Sequence, residues 1–330
     1  MKKNIPARPL VLLLAALILA SLALTLPTNA GAQAYPSKPI RLITPFAPGG
    51  GTDFVARLIA QKLTEKLGQQ VMVDNKPGAG SNLGTELALK SPPDGYTLLV
   101  TPASYTVNPN IYKLNFDPIN DITPIVQISS GPYIVAVHPS LPVKTLKDLV
   151  DYAKANPDKL SYGSAGNGSS THLATEFFLD VAKIKMLHIP YKGTGPALND
   201  TIAGNVQVIF GSVAATLQFV KSGRLRALAV TTPQRISAEP DVPTVAESGF
   251  PSYEVTNWSG LSGPRGLPRE IVDRINREVN EIIKGADVAK VLAADGLSPA
   301  GGSVERFTNI INTEIPRWNR VVKSSGAKID

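Results

Sequence analysis

Short apolar segments alternate with amphipathic segments along the first third of the chain. Ile40 to Thr44, Val71 to Asp74 and Tyr96 to Val100 have the length and apolarity of buried strands. After the first of them, apolar residues recur at helical spacing, at Phe54, Val55, Leu58, Ile59, Leu63 and Leu67. A second helix is predicted from Leu83 to Leu89. The βαβαβ order predicts a mostly parallel sheet.

The same alternation restarts near residue 134. The predicted strands here are Ile134 to Val137, Leu160 to Tyr162, Leu187 to Tyr191, Val206 to Phe210 and Ala227 to Thr231. Thr145 and Asp148 have capping-box spacing and predict a helix start, and another helix is predicted from Thr171 to Val181. After Pro264 the pattern is helical only, over Arg269 to Lys284, Ala286 to Ala294 and Ser303 to Ser325.

Two α/β halves followed by helices predict a two-lobe protein with a cleft. We expect the chain to cross between the lobes near Ile128 to Tyr133 and near Val255 to Leu261. The first lobe is then predicted to hold residues 35–131 and 258–330, and the second to hold residues 132–257.

The N-terminal segment has the features of a signal peptide. Met1 to Arg8 is basic, Leu10 to Leu24 is an uncharged apolar run, and small residues follow up to Ala34. An uncleaved membrane anchor is the alternative, but a spanning helix needs about 20 apolar residues and Pro27 ends this run early. We predict that residues 1–34 are cleaved near Ala34 and that the mature protein is soluble and periplasmic.

Composition excludes several classes of protein. The 330 residues are 43% hydrophobic and 18% charged, which is typical of a globular chain. Because there is no cysteine, disulfides, thiolate nucleophiles and cysteine-based metal sites are excluded. The 3 histidines are scattered along the sequence. We therefore expect no cysteine- or histidine-based metal site.

The charge balance points to small anions rather than nucleic acid. The formal net charge is +7, and removal of residues 1–34 leaves 30 basic against 26 acidic residues. The basic residues form no dense stripe of the kind that nucleic-acid binding needs. A mild positive field suits small anionic ligands.

Glycine-rich loops join a strand to a helix in both halves. Gly49, Gly50 and Gly51 lie in the first loop, and residues 163–170 form the loop of the second half. Backbone N–H groups at such a loop, together with the helix N-terminus, favour anions. Nucleotide motifs fail, because Phe54 replaces the last glycine of GxGxxG and Ser169 replaces the P-loop lysine.

An enzyme interpretation stays open as an alternative. Ser170, His172 and an aspartate form a triad in principle, although His172 also fits the first turn of a helix. Asp53 or Thr52 fits the N-cap of the helix after the first loop, and Asp53 is in addition a candidate ligand contact.

A set of collinear motifs resembles one protein family. The motifs are Pro45 to Asp53, Asn75 to Gly80, Pro93 to Thr97, Ser164 to Ser169, Pro190 to Gly193, Pro240 to Val245, Trp318 and Gly326. They are similar to those of the Bug/TctC family, the periplasmic solute-binding proteins of tripartite tricarboxylate transporters. The resemblance covers essentially all of residues 35–330.

The resemblance implies a type II periplasmic-binding-protein fold, a Venus flytrap of two α/β lobes around a ligand cleft. It implies that the loops 46–53 and 164–170 pinch a ligand carboxylate. The ligand-binding residues it implies, together with those above, are Phe46, Ala47, Gly49, Gly50, Asp53, Ser104, Ser164, Ala165, Gly168, Ser169, Ser170, Tyr191, Gly193 and Ser212. Family members often carry Asp where this chain has Gly211, a departure that favours a dicarboxylate or an aromatic acid over an amino acid.

The sequence thus predicts a monomeric, non-enzymatic protein that captures a small carboxylic acid. The partners that the resemblance implies are the membrane subunits of a tripartite tricarboxylate transporter. Two alternatives remain open at this stage, an exported serine hydrolase and a ligand sensor that signals to a membrane partner.

Overall fold

The computed structural model describes residues 35–294 and 296–325. The predicted signal peptide and Gly326 lie outside the described residues. The body that begins at Lys38 contains two separate β-sheets. The predicted α/β class is confirmed.

This body contains eleven strands and ten α-helices within the described residues. The strands are β1 (Ile40–Thr44), β2 (Val71–Asn75), β3 (Thr97–Pro102), β4 (Ile122–Gly131), β5 (Tyr133–Val137), β6 (Ser161–Ser164), β7 (Leu187–Pro190), β8 (Val208–Ser212), β9 (Arg226–Val230), β10 (Asn257–Pro264) and β11 (Ser298–Pro299). The helices are α1 (Gly51–Leu67), α2 (Asn82–Leu89), α3 (Ser104–Val107), α4 (Leu146–Ala155), α5 (Ser170–Ala182), α6 (Thr194–Ile202), α7 (Val213–Lys221), α8 (Arg269–Lys284), α9 (Ala286–Ala294) and α10 (Val304–Ser325).

The first sheet has six strands in the order β11-β4-β10-β3-β1-β2. β1 pairs in parallel with β2 and β3, as the βαβαβ pattern predicts. β10 pairs antiparallel with both β3 and β4. β10 and the end of β4 lie where the sequence predicts only chain crossings, because the serine and glycine content of β10 lacks the apolar signature of a buried strand.

The second sheet has five strands in the order β7-β6-β8-β5-β9. β6 pairs in parallel with β7 and β8, whereas β5 pairs antiparallel with β8 and β9. All of its strands come from residues 133–230. The carboxyl ends of β6, β7 and β8 therefore lead into helices at one edge of the sheet, which is where ligands of α/β proteins bind.

The C-terminal helix α10 packs against residues of both sheets. Phe307 and Ile311 lie in a cluster with Trp258 of β10. Trp318 and Val322, about two and three turns further along, lie in the main cluster of the second sheet with Phe178. The predicted boundaries of the two lobes stay a prediction, and this helix contributes to the cores on both sides.

Local signals agree with the predicted helices in most places. The Thr145 side chain accepts from Asp148 N–H and the Asp148 carboxylate accepts from the Thr145 N–H, so the predicted capping box forms. The predicted N-cap of α1 is wrong, since Gly50 occupies that position and Asp53 lies inside the first turn. The helix starts earlier because Gly50 adopts an extended conformation without needing a side-chain cap.

Candidate functional site

A small cavity of about 20 Å³, room for about one water molecule, lies among loops of both sheets. Its lining is Phe46, Gly50, Gly51, Thr52, Tyr133, Ala165, Ser169, Ser170, Thr171, Thr194, Ser212 and Asn257. The first four follow β1, and Ala165 to Thr171 follow β6. The predicted glycine-rich loops of the two halves thus meet at one place.

Four helices begin at this cavity. Gly51 opens α1, Ser170 opens α5 and Thr194 opens α6, and Ser212 is the N-cap of α7. Each helix N-terminus carries free N–H groups and a partial positive charge. Four such ends around one cavity create a field that favours an anion.

The lining is rich in hydroxyl groups and contains no ionisable acid or base apart from a tyrosine. Seven of the lining residues carry a hydroxyl group, namely Thr52, Tyr133, Ser169, Ser170, Thr171, Thr194 and Ser212. Hydroxyls rotate and donate to a carboxylate oxygen at low cost. The site is therefore built to bind an anion through dipoles and hydrogen bonds rather than through a counter-ion.

Ser212 is the clearest unpaired donor at the site. Its side chain is 4% exposed and its Oγ has no hydrogen-bond partner in the protein. A Cβ on Gly51 would lie 2.5 Å from this oxygen, so only glycine permits the approach of α1. A buried hydroxyl without a partner costs free energy, and an anion in the cavity would satisfy it.

The loops from the two sheets touch on one side of the cavity through backbone. Ala47 N–H donates to the Lys192 carbonyl at 3.0 Å. A Cβ on Gly195 would lie 2.5 Å from the Pro48 carbonyl oxygen. Of the predicted site residues, Ala47, Gly49 and Gly193 belong to this contact, and none of them lines the cavity.

A second contact closes the other side. Tyr112 Oη donates to the Asn167 carbonyl at 2.5 Å. A Cβ on Gly80 would overlap that same carbonyl oxygen, and one on Gly168 would overlap the Tyr112 ring. Gly168 and Gly80 therefore serve close packing between the two sides.

Asp53 holds the first loop in place and does not line the cavity. It accepts from Gly49 N–H at 3.1 Å, from Arg57 Nε at 2.9 Å and from Asn75 Nδ2 at 2.9 Å. Burial opposes ionisation, but these hydrogen bonds outweigh it and keep the pKa of Asp53 below its usual value. Asn75 also donates to the Phe46 carbonyl, which ties β2 to the loop.

Three other predicted site residues are bound to protein groups near the site. Ser104 Oγ lies 2.8 Å from Ser81 Oγ, and Ser164 Oγ lies 2.6 Å from His188 Nε2. Tyr191 Oη donates to Asp200 at 2.6 Å, and burial together with this carboxylate raises the pKa of Tyr191 to about 12. The predicted residues that line the cavity are Phe46, Gly50, Ala165, Ser169, Ser170 and Ser212.

Tyr133 and Asn257 are lining residues that the sequence analysis missed. Tyr133 Oη donates to Asn257 Oδ1 at 2.9 Å and is also hydrogen-bonded to Ser170. Burial raises the pKa of Tyr133, so its hydroxyl stays protonated. Both residues lie at the predicted chain crossings, and polar residues at a crossing are the signal that would have revealed them.

The Ser170–His172 pair does not have the geometry of a catalytic dyad. His172 Nδ1 accepts from Gly168 N–H at 3.1 Å, and Ser170 is hydrogen-bonded to Tyr133. Burial lowers the pKa of His172 to about 4. His172 lies in the first turn of α5, as its position after the loop predicts.

Over residues 35–294 and 296–325, no group of three or more histidine, aspartate or glutamate side chains is arranged to hold a metal ion. In the same described part of the chain, no helix combines the length and apolarity needed to cross a bilayer.

Comparisons with known proteins identify similar chains. The model of the tripartite tricarboxylate transporter family receptor matches residues 55–327. Protein BugT of Bordetella pertussis is 36% identical over 90% of this chain and 92% of its own length. Among solved structures, Rpa4515 of R. palustris with adipate has a TM-score of 0.87 and 35% identity, over 89% of this chain and 100% of its own. MatC of Rhodopseudomonas palustris with bound malate has a TM-score of 0.84 and 30% identity, over 87% and 100%.

Proposed function

Because the chain belongs to the tripartite tricarboxylate transporter receptor family, we propose that it captures a small carboxylic acid between the loops 46–53 and 164–170. The observation that carries the proposal is the convergence of four helix N-termini and seven hydroxyl-bearing residues on one cavity. Two similar proteins hold adipate and malate in their structures. The cavity has room for about one water molecule, so it would have to widen to admit a carboxylate, which would then accept from Ser212 and the loop hydroxyls.

The ligand class is a dicarboxylate or an aromatic acid rather than an amino acid. No carboxylate side chain lines the cavity among the described residues, so the ammonium group of an amino acid would find no counter-ion there. At position 211 the fold favours glycine, because a Cβ there would overlap Thr216 Oγ1. An acidic residue at 211 would therefore require Thr216 to move.

The proposed role is delivery, not catalysis. Family receptors are periplasmic, and we propose that residues 1–34 direct export and are removed near Ala34. The mature monomer would close on its ligand and pass it to the membrane subunits of the transporter, with no metal or organic cofactor. The hydrolase alternative is disfavoured by the contacts of Ser170 and His172. Sensing through a membrane partner would use the same site.

A thermal-shift screen of the protein purified from the periplasm tests this function. The panel contains malate, adipate, benzoate and glutamate. An acid at about 100 times its Kd adds about 2.7 kcal/mol to the free energy of unfolding, so a dicarboxylate or benzoate is expected to raise the Tm and glutamate is not.

A parallel ester-hydrolysis assay provides the control for the enzyme alternative. The wild type and Ser170→Ala are both expected to be inactive. Ester turnover that Ser170→Ala abolishes, with no acid of the panel raising the Tm, would overturn the binding function in favour of a hydrolase.

A further inference from the structure

We propose that His172 and His188 are positioning residues that hold the loop 164–170 in its ligand-binding shape. This inference rests on the proposed function, since it concerns the loop that supplies Ala165, Ser169 and Ser170 to the cavity. Both histidines come from elements next to the loop. His172 lies in α5 and His188 lies in β7.

His172 holds the far end of the loop by accepting a backbone proton. Its Nδ1 accepts from Gly168 N–H at 3.1 Å, so the ring proton sits on Nε2. Its own N–H donates to Ser169 Oγ at 3.2 Å, the N-cap interaction of α5. The ring acceptor and the cap together fix Gly168 and Ser169, immediately before the cavity-lining Ser170.

His188 holds the near end of the loop through Ser164. Its Nε2 lies 2.6 Å from Ser164 Oγ, and that oxygen also accepts from Gly166 N–H at 3.1 Å. Ala165 lies between these two anchored residues. The orientation of the first turn of the loop thus depends on the His188 ring.

The two rings are locked in place by stacking. His172 and His188 are 4.1 Å apart between centroids with planes inclined by 13°. Tyr162 stacks on His188 at 4.8 Å, and its hydroxyl donates to Glu176 of α5. Burial lowers the pKa of both histidines, so both rings are neutral at pH 7, and it raises the pKa of Glu176.

The loop needs such anchors because its own backbone is permissive. Gly166 has φ +120° and Gly168 has φ +70°. Glycine leaves such conformations easily, because many other backbone conformations are open to it. Preorganising the loop removes an ordering cost that ligand binding would otherwise bear.

Two matched substitutions at position 172 separate hydrogen bonding from packing. His172→Asn keeps an acceptor near the Nδ1 position and loses the stacked ring. His172→Phe keeps the stack and loses the acceptor. With malate and adipate as calorimetric probes, we expect His172→Phe to weaken binding about 10-fold, about 1.4 kcal/mol, and His172→Asn to stay within about threefold of wild type. Equal affinities of the two variants would overturn the proposal.

His188→Gln and His188→Phe repeat the test at the other anchor, should a variant at 172 fail to fold. Glutamine keeps a polar group near the position of Nε2, so the His188→Gln variant is expected to bind the acid more tightly than the His188→Phe variant does. If the His188→Phe variant binds the acid as tightly as the His188→Gln variant does, the result counts against the proposal.

Amide hydrogen exchange makes failure of this inference distinguishable from failure of the proposed function. Without any ligand, Gly168 N–H is expected to exchange faster in His172→Phe than in His172→Asn and wild type. If exchange follows this order but wild type binds no acid of the thermal-shift panel, the proposed function fails while the anchoring stands. Equal exchange in the two variants refutes the anchoring itself.

Discussion

Ser212 shows how a single buried hydroxyl can serve binding at the expense of stability. Its oxygen lacks a partner and faces the cavity, so Ser212→Ala removes a donor for the ligand and also removes an unpaired buried group. We expect ligand affinity to fall by about 1 kcal/mol while the free energy of unfolding stays the same or rises. Calorimetry and urea denaturation measure the two quantities.

Thr216→Ala is the matched control for that variant. Thr216 is fully buried, also has an unpaired hydroxyl and lies one turn further along α7, but it does not line the cavity. It should raise or preserve stability and leave affinity unchanged. If Thr216→Ala lowers ligand affinity as much as Ser212→Ala does, both effects come from the loss of a buried hydroxyl and not from the loss of a contact with the ligand.

The paired histidines predict a pH dependence of stability. Burial lowers the pKa of His172 from 6.5 to about 4 and that of His188 to about 3. Between pH 6.5 and 4 the unfolded chain binds protons that the folded chain does not, so the free energy of unfolding falls as pH falls, by up to about 1.4 kcal/mol per pH unit for each histidine.

Denaturation from pH 7 to pH 4 measures this slope. The double variant His172→Asn, His188→Gln should show a shallower fall than wild type, because its side chains at these positions do not titrate. Identical slopes in the two proteins would contradict the neutral, buried state of the histidines.

At the scale of elements, the start of α6 is shaped by contact with the first loop. Gly195 is the second residue of this helix, and a Cβ there would lie 2.5 Å from the Pro48 carbonyl. Gly195→Ala should favour the helix by up to about 1 kcal/mol but hold the two loops apart. We expect weaker ligand binding, measured by calorimetry, without a loss in Tm. Unchanged affinity would mean that the loops need not meet for binding.

The helices and the parallel strands were accessible from the sequence because their periodicity is local. The apolar spacing in α1 and the capping box of α4 predict these elements within a few residues. β10 escaped prediction because Ser259, Gly260 and Ser262 do not look like a central strand. Gly260 is explained by a neighbour far along the chain, since a Cβ at this position would overlap the Phe307 ring of α10.

Part of the site was also predictable, because the pattern that indicates it is local in the sequence. Ser169 and Ser170 follow a strand and open a helix, a local pattern that indicates an anion-binding loop. Tyr133 and Asn257 meet only in the folded protein, and the sequence marks each of them only as a polar residue at a predicted chain crossing. Asp53 lies near the site, as predicted, but it is not a lining residue, because its carboxylate is bound to Arg57 and Asn75.

At the scale of the whole molecule, the family resemblance drawn from collinear motifs is confirmed by the match to the receptor family. Loops of the two sheets meet on both sides of the cavity, through a backbone hydrogen bond from Ala47 to Lys192 and through a side-chain hydrogen bond from Tyr112 to the Asn167 carbonyl. These contacts are expected to form as the protein closes on its ligand.

Tyr112→Phe tests the second contact. It removes one hydrogen bond from the closed form, so ligand affinity should fall by about 0.5–1.5 kcal/mol. Small-angle scattering should show that malate or adipate compacts the wild type and compacts the variant less completely at equal ligand concentration. A variant that binds and compacts like wild type would rule out a role for this contact in closure.

The absence of a counter-ion among the described lining residues has a consequence for the conditions in which the protein works. Mobile ions screen attraction between exposed charges over about 10 Å at 0.1 M ionic strength, but they act weakly on short hydrogen bonds and helix dipoles inside a closed cavity. Between 0.05 and 0.5 M sodium chloride, the Kd for an acid ligand should change by less than about threefold. A receptor outside the inner membrane would then bind its ligand equally well in dilute and in saline surroundings, and a steep dependence in calorimetry would reveal a charge that the ligand meets elsewhere.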